Sequence, residues 1–392
     1  MQDDWTINHR ASSIGTRPES AKHNDQAALT RHSNNFTALR FIAASLVIIT
    51  HAYAVSDSAE AFGTITNISI GWSAVVMFFA ISGFLITNSL DRRDIIHFTW
   101  SRILRIFPGL IICTLVTAFL LGFISTISFA DYIRNYQTLR YIFGNSTLLA
   151  TEYSLPGVFQ SNPLTEANGS LWTLRYEVFC YALFAILLFG GALPYRLRRI
   201  IFFVITAAFF AYYFAKSALL SFHPPVQLEN TIELGFPFLI GSWYASAPRF
   251  RITIIHVSIL CCLVYVSLNT VYQPIGLGGA IAGLTLWLAF VPNRLLKAIS
   301  NLPDYSYGIY IYAYPIQQTL YLYAPTLPPL LAALISLIMV LIPASLSWHL
   351  IEKPALSLKG RRGRAKSIDH FSRSCISPTQ TTSRMSSVID PD

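Results

Sequence analysis

The stretch Asn34–Tyr53, NNFTALRFIAASLVIITHAY, decides how the rest of the chain is read. It is apolar for the length of a membrane crossing, yet it holds Arg40 near one end and His51 deep inside. At about 100° per residue, their spacing amounts to three turns plus about 20°, so both side chains share one helix face, about 16 Å apart along the axis. Ionisable groups inside a bilayer are costly, and they mark a path or a site. Each residue also has a plainer use. Arg40 serves as an anchor that reaches back to water at the membrane edge. His51 serves as an interior imidazole bonded to a neighbouring helix. The shared face is more specific than either residue, but it names no chemistry.

Outward from this stretch the composition is that of a membrane protein. Of 392 residues, 53% are hydrophobic and 12% are charged, and a soluble domain carries about twice that charge. The expectation is an all-α polytopic membrane protein, with about ten transmembrane helices in one bundle. The apolar segments fall near 38–55, 71–89, 104–124, 172–190, 200–217, 230–246, 252–269, 275–291, 305–323 and 330–350. Pro237, Pro315 and Pro343 interrupt three of them, which a membrane helix tolerates where neighbours satisfy the freed carbonyls. Residues 1–33 are polar and lack the apolar core of a secretory signal, so they are expected to form a disordered cytoplasmic tail. Residues 34–354 form the membrane domain, and 355–392 a basic, disordered cytoplasmic tail suited to anionic lipid.

Charge placement sets the orientation. With the N-terminus in the cytoplasm, 24 of the 28 lysines and arginines fall on the inner side, leaving Arg134, Arg140, Arg175 and Lys216 outside. Both termini are therefore expected in the cytoplasm, with an even number of spans. The bilayer is the expected partner of this charge, and no nucleic acid is implied. Four of the five cysteines lie in apolar runs and none has metal-ligand spacing, so neither a disulfide framework nor a metal or redox site is expected. The loop 126–171 is long for a membrane connection and rich in Asn, Ser, Thr and Gly, and long loops without regular structure are often functional.

Several residues inside the segments bear chemistry. Arg102 and Arg105, at the expected start of the third helix, face the same way. Guanidinium forks match phosphate oxygens, although this pair alone is better explained as a positive-inside anchor. Arg40 lies at the same depth, and three arginines there could cradle a polyphosphate. Ser82 and Gly83, in FFAISGFLIT, sit mid-span where small residues let helices approach. Glu177 lies in GSLWTLRYEVFCY; if that helix starts near Trp172, Glu177 is about 7 Å below the outer boundary and His51 about 6 Å. A carboxylate beside an imidazole fixes its tautomer and raises its basicity. The plainer partners of Glu177 are Arg175 or a tyrosine. Tyr307 and Tyr310 belong to the hydroxyl-rich run YSYGIYIYAYPIQQ, a pattern used both in interface belts and in sugar sites. Glu352 and Lys353 close the last helix as a helix-end ion pair.

Taken together, LRFIAASLVIITH, FFAISGFLI, SRILRIFP, GSLWTLRYEVFCY, SYGIYIYAYPIQQ and LIEKP resemble the acyltransferase-3 family of bacterial membrane proteins, in this order from about Asn34 to Pro354. The resemblance implies O-acylation of an extracytoplasmic glycan or glycolipid, such as exopolysaccharide, O-antigen or lipo-oligosaccharide. It implies acyl-CoA, most readily acetyl-CoA, as donor, no bound cofactor, and residence in the bacterial inner membrane. It points to Arg40 and His51 of the first helix, to Arg102 and Arg105, to Glu177, and to Glu352. His51 would be general base or transient acyl carrier, Glu177 would orient it, and the three arginines would hold the phosphates of the donor. Many relatives carry Gly where this chain has Phe41, and His near Ala313–Tyr314. The buried Arg, His and Glu would also suit a transporter or export channel, although no internal repeat is evident.

Overall fold

The computed structural model describes residues 34–60, 63, 68–90, 95–187, 194–218, 224–247 and 250–359. The tails expected at 1–33 and beyond 359 lie outside the described residues. Residues 355–357, assigned by sequence to the C-terminal tail, belong instead to a short helix, Lys353–Ser357.

The described residues are all-α, apart from one isolated antiparallel bridge between Ser154 and Glu166. In order they form α1 (Phe36–Val55), α2 (Ile70–Leu90), α3 (Ile95–Leu121), α4 (Phe129–Arg134), α5 (Tyr136–Thr147), α6 (Trp172–Leu187) and α7 (Tyr195–Ala218). There follow α8 (Val226–Ser246), α9 (Ile254–Ser267), α10 (Gln273–Phe290), α11 (Arg294–Ser300), α12 (Ser306–Tyr323) and α13 (Pro329–Ser347). A π-turn, Trp348–Glu352, then leads into α14 (Lys353–Ser357).

Among the described residues, six helices are long and apolar enough to cross a membrane: Phe36–Val55, Ile70–Leu90, Ile95–Ile124, Arg196–Ala218, Gln273–Phe290 and Pro329–Ser357. The expected count of about ten is thus met by six. The other four segments do not meet that measure among the described residues. α6 is described over 16 residues, up to Leu187, and α9 has 14, where a straight crossing needs about 20. α8 carries Glu229 and Glu233, and α12 carries a ladder of tyrosines with Gln317 and Gln318.

Local chemistry explains several boundaries. α3 begins at Ile95 rather than near 104 and continues through Pro108, so Arg102 and Arg105 lie within the helix and not at its start. The stretch 126–171 is also more ordered than an irregular loop. Ser128 accepts from the Asp131 amide at 3.2 Å and starts α4, while Asn135 accepts from the Gln137 amide at 2.9 Å and starts α5. Tyr132 and Tyr141 of these short helices are buried with Leu155, Val158 and Phe159, closing that end of the protein.

The helices that position the site meet without large side chains between them. A Cβ added at Gly83 would lie 2.0 Å from the Phe238 carbonyl oxygen, and one at Gly241 would lie 2.0 Å from that of Ala80. Ser242 Oγ donates to the Gly83 carbonyl at 3.2 Å. This reciprocal pair sets α2 backbone-to-backbone against α8, the use of small residues expected at Gly83. α1 packs on α2, α12 and α13. α12 is buried on nearly every face, so its polar side chains must find partners inside the protein.

Candidate active site

Polar groups run along α1 and α12 in three clusters. The first lies where α1 and α12 begin. Asp304, just ahead of α12, accepts through Oδ2 from Arg40 Nη1 at 2.8 Å and from Arg105 Nη2 at 2.6 Å, and its Oδ1 accepts from Ser306. Burial by itself would raise the pKa of Asp304. The charges of Arg40 and Arg105, with the hydrogen bond from Ser306, outweigh it and hold the carboxyl well below the usual carboxylate range. Glu352 enters the same cluster from the π-turn. It is buried, accepts from Ser347 Oγ at 3.1 Å, and brings Oε2 to 3.8 Å from Arg105 Nη1. The expected pair with Lys353 is therefore not formed: the π-turn aims Glu352 inward, at Arg105.

The second cluster is built on α6. Glu177 Oε1 accepts from Ser82 Oγ at 2.7 Å and from the Tyr181 hydroxyl. The Arg102 guanidinium lies 6.0 Å from the centre of the Tyr181 ring and 5.9 Å from that of Phe98. Among the described residues Arg102 has no carboxylate partner, which separates it from Arg40 and Arg105. It borders an apolar groove between α3 and α6, walled by Ile103, Val178 and Ile186. A small pocket connects the first two clusters, with Arg40 and Ser306 on one side and Glu177, Thr173 and Tyr310 on the other. Tyr310 shares a hydrogen bond with Thr173, and Tyr307 donates to the Ile106 carbonyl at 2.7 Å. Trp172 packs edge-on against Tyr176, with ring centres 5.7 Å apart.

The third cluster surrounds His51. Its Nε2 lies 3.4 Å from Ser170 Oγ, and its ring meets that of Tyr314 edge-to-face at 4.8 Å. Tyr314 donates to Glu166 Oε2 at 2.7 Å. Gly169 is needed for this approach, because a Cβ there would stand 2.7 Å from the Tyr314 ring. The long connection is pinned to α12 beside the histidine. Asn168 donates to the Ile311 carbonyl at 2.8 Å, and Gln318 Nε2 donates to the carbonyls of Leu164 and Glu166 at 2.9 and 3.0 Å. Gln317 donates to the Ile48 carbonyl on α1 at 2.8 Å.

The structure thus brings together Arg40 with Arg105, Ser82 with Glu177 and Tyr181, and His51 with Ser170 and Tyr314. It does not hydrogen-bond Glu177 to His51. His51 is level with Ser170, which precedes α6, whereas Glu177 lies more than a turn inside that helix. Asp304, Ser170, Tyr314 and Glu166 escaped the sequence reading. Only Asp304 left a usable signal, a carboxylate at the depth of three arginines. Among the described residues no group of His, Cys, Asp and Glu is arranged to hold a metal ion.

This arrangement provides an imidazole nitrogen beside a hydroxyl position at one end and fixed guanidinium groups at the other. It suits proton transfer at a hydroxyl coupled to binding of an anionic group. Comparison with known proteins agrees. A family model described as an acyltransferase domain, of the acyltransferase-3 type, matches residues 33–348. An O-acetyl transferase of Shigella phage Sf6 is 31% identical over 350 residues, covering 83% of this chain and 96% of that protein. Nodulation protein 10 of Rhizobium leguminosarum bv. viciae is 26% identical over 358 residues, covering 84% of this chain and 94% of that protein. No solved structure matches the chain.

Proposed function

The chain belongs to the acyltransferase-3 family and is an acyltransferase, and from that premise we propose that it transfers an acetyl group from acetyl-CoA to a hydroxyl of an extracytoplasmic glycan or glycolipid. The observation that carries this reading is α1 itself, which holds His51 beside Ser170 at one end and Arg40 in the arginine cluster at the other. The similar O-acetyl transferase of phage Sf6 supports acetyl as the group moved. The arginine asymmetry supports an even number of crossings of the bacterial inner membrane with both termini in the cytoplasm, so that the donor approaches the arginines from inside.

In this mechanism the acceptor hydroxyl occupies the space next to His51 Nε2, close to Ser170. His51 accepts the hydroxyl proton as the oxygen attacks the thioester carbonyl. The new C–O bond forms, the C–S bond breaks, and the proton passes from His51 to the departing thiolate. Ser170 and the Tyr314 ring fix the plane of the imidazole. Glu177, held by Ser82 and Tyr181, lines the pocket it shares with Arg40 and orients the arm of the donor. Arg102 grips a donor phosphate, because Arg40 and Arg105 are already held by Asp304 and shape the entrance instead.

The test is release of free thiol from acetyl-CoA by the purified protein in nanodiscs. This reading expects release that depends on added acceptor glycan and on His51. Transport of acceptor without thioester cleavage would refute it.

A further inference from the structure

A second cavity, of about 510 Å³ and lined by none of the acyl-transfer residues, lies between the first turns of α7 and the last turn of α8. Its volume is in the range of ligand pockets, about 300–1,000 Å³. Arg198 and Ser246 line it, each only 8% exposed, and the Ser246 hydroxyl has no hydrogen-bond partner among the described residues. A buried hydroxyl without a partner costs free energy unless a ligand completes it. The remaining walls are Phe202, Phe203, Thr206 and Trp243. Phe203 is 74% exposed and Trp243 is also exposed, so the cavity opens on the apolar outer surface of α7 and α8, where lipid lies.

Charge identifies the occupant. The chain carries Arg196 and Arg198 at the start of α7 and Arg251 after α8, with no Asp or Glu in 194–206 or 243–253. The amino end of α7, a helix of 24 residues, adds its partial positive charge. A basic polar floor beneath apolar, membrane-facing walls matches a phosphate headgroup with its acyl chains, as in basic pockets between membrane helices. We propose that this cavity is a binding site for an anionic phospholipid. Arg198 and Ser246 hold the phosphate, and the chains lie over Phe202 and Phe203. The site is independent of the acyl-transfer reading.

The experiment uses the full-length protein in nanodiscs of phosphatidylcholine with phosphatidylglycerol titrated in, and counts lipids retained on extraction by native mass spectrometry. Wild type is expected to retain phosphatidylglycerol in preference to phosphatidylcholine. Arg198→Gln should weaken that retention by about tenfold, the loss of one charge-assisted hydrogen bond. Ser246→Val keeps the charge and nearly the same volume, and it should weaken retention by a smaller factor, which keeps the test valid if Arg198→Gln fails to fold. Equal retention of the two lipids by wild type, or unchanged retention in Ser246→Val and in folded Arg198→Gln, would overturn the proposal. So would displacement of the lipid by adenosine 3′,5′-bisphosphate, which would reassign the cavity to the nucleotide end of a coenzyme A.

Discussion

The two ends of α1 are built on opposite principles. At the Arg40 end, guanidinium groups and carboxylates bind one another at 2.6 and 2.8 Å, and each partner limits where the other can move. At the His51 end, among the described residues, one long contact of 3.4 Å and an aromatic edge hold the ring. Breaking this partly buried ion-pair network leaves an uncompensated charge and is expensive, whereas a histidine with a weak partner exchanges it readily for a substrate hydroxyl. In the proposed mechanism the ionic end is scaffold and entrance, and the His51 end is where bonds change.

That contrast can be broken at either end, and the largest effect is expected at the histidine. His51→Ala should fold and insert normally yet lose acetyl transfer by about 10²–10⁴-fold, the contribution of a general base; incorporation of labelled acetyl into acceptor is the readout. At the ionic end, Asp304→Ala leaves Arg40 and Arg105 without their shared anion. It should cost stability, about 3 kcal/mol, read as a lowered thermal midpoint in detergent.

Arg102 sharpens the comparison because it is an arginine outside the ion-pair network. Arg102→Lys keeps the charge and loses the planar fork. Donor affinity should fall by about 1–3 kcal/mol, the range of a charge-assisted hydrogen bond, in an acetyl-CoA titration, with stability unchanged. The smallest effect concerns pH. Because the Asp304 carboxyl is held below its ordinary range, its stabilisation is complete above the unfolded value, about 3.9, and is lost only as pH falls through the lower folded value. Measured with Glu352→Gln in both proteins, so that the neighbouring carboxyl does not titrate, the difference in thermal midpoint between the Asp304 protein and Asp304→Ala should therefore be the same at pH 7 and pH 5; a difference that shrinks at pH 5 would mean that the carboxyl is not held low.

What the sequence could show and what it could not divide along physical lines. The shared face of Arg40 and His51 is a matter of helix periodicity, and the packing role of Gly83 follows from its size. Partner choice is different. Arg40 finds Asp304 across 264 residues of chain, and nothing local to either residue announces the other. Matching depths put Glu177 beside His51, but depth leaves rotation about the helix axis free, and α6 turns its carboxylate toward Ser82 and Tyr181. Glu352 reads as a helix-end residue until the π-turn rotates it inward. The stretch 126–171 has the polar composition of a loop, yet the same Ser and Asn residues that suggest irregularity are the caps that start α4 and α5.

The central claim is that His51 at one end of α1 does the chemistry while Arg102 of α3, outside the ion-pair network, holds the donor, and steady-state kinetics of His51→Ala and Arg102→Lys measured side by side test it most directly. The account predicts that His51→Ala lowers kcat with the KM for acetyl-CoA nearly unchanged, and that Arg102→Lys raises that KM with kcat largely kept. Loss of kcat in Arg102→Lys equal to that in His51→Ala, or a His51→Ala protein with wild-type kcat, would contradict it.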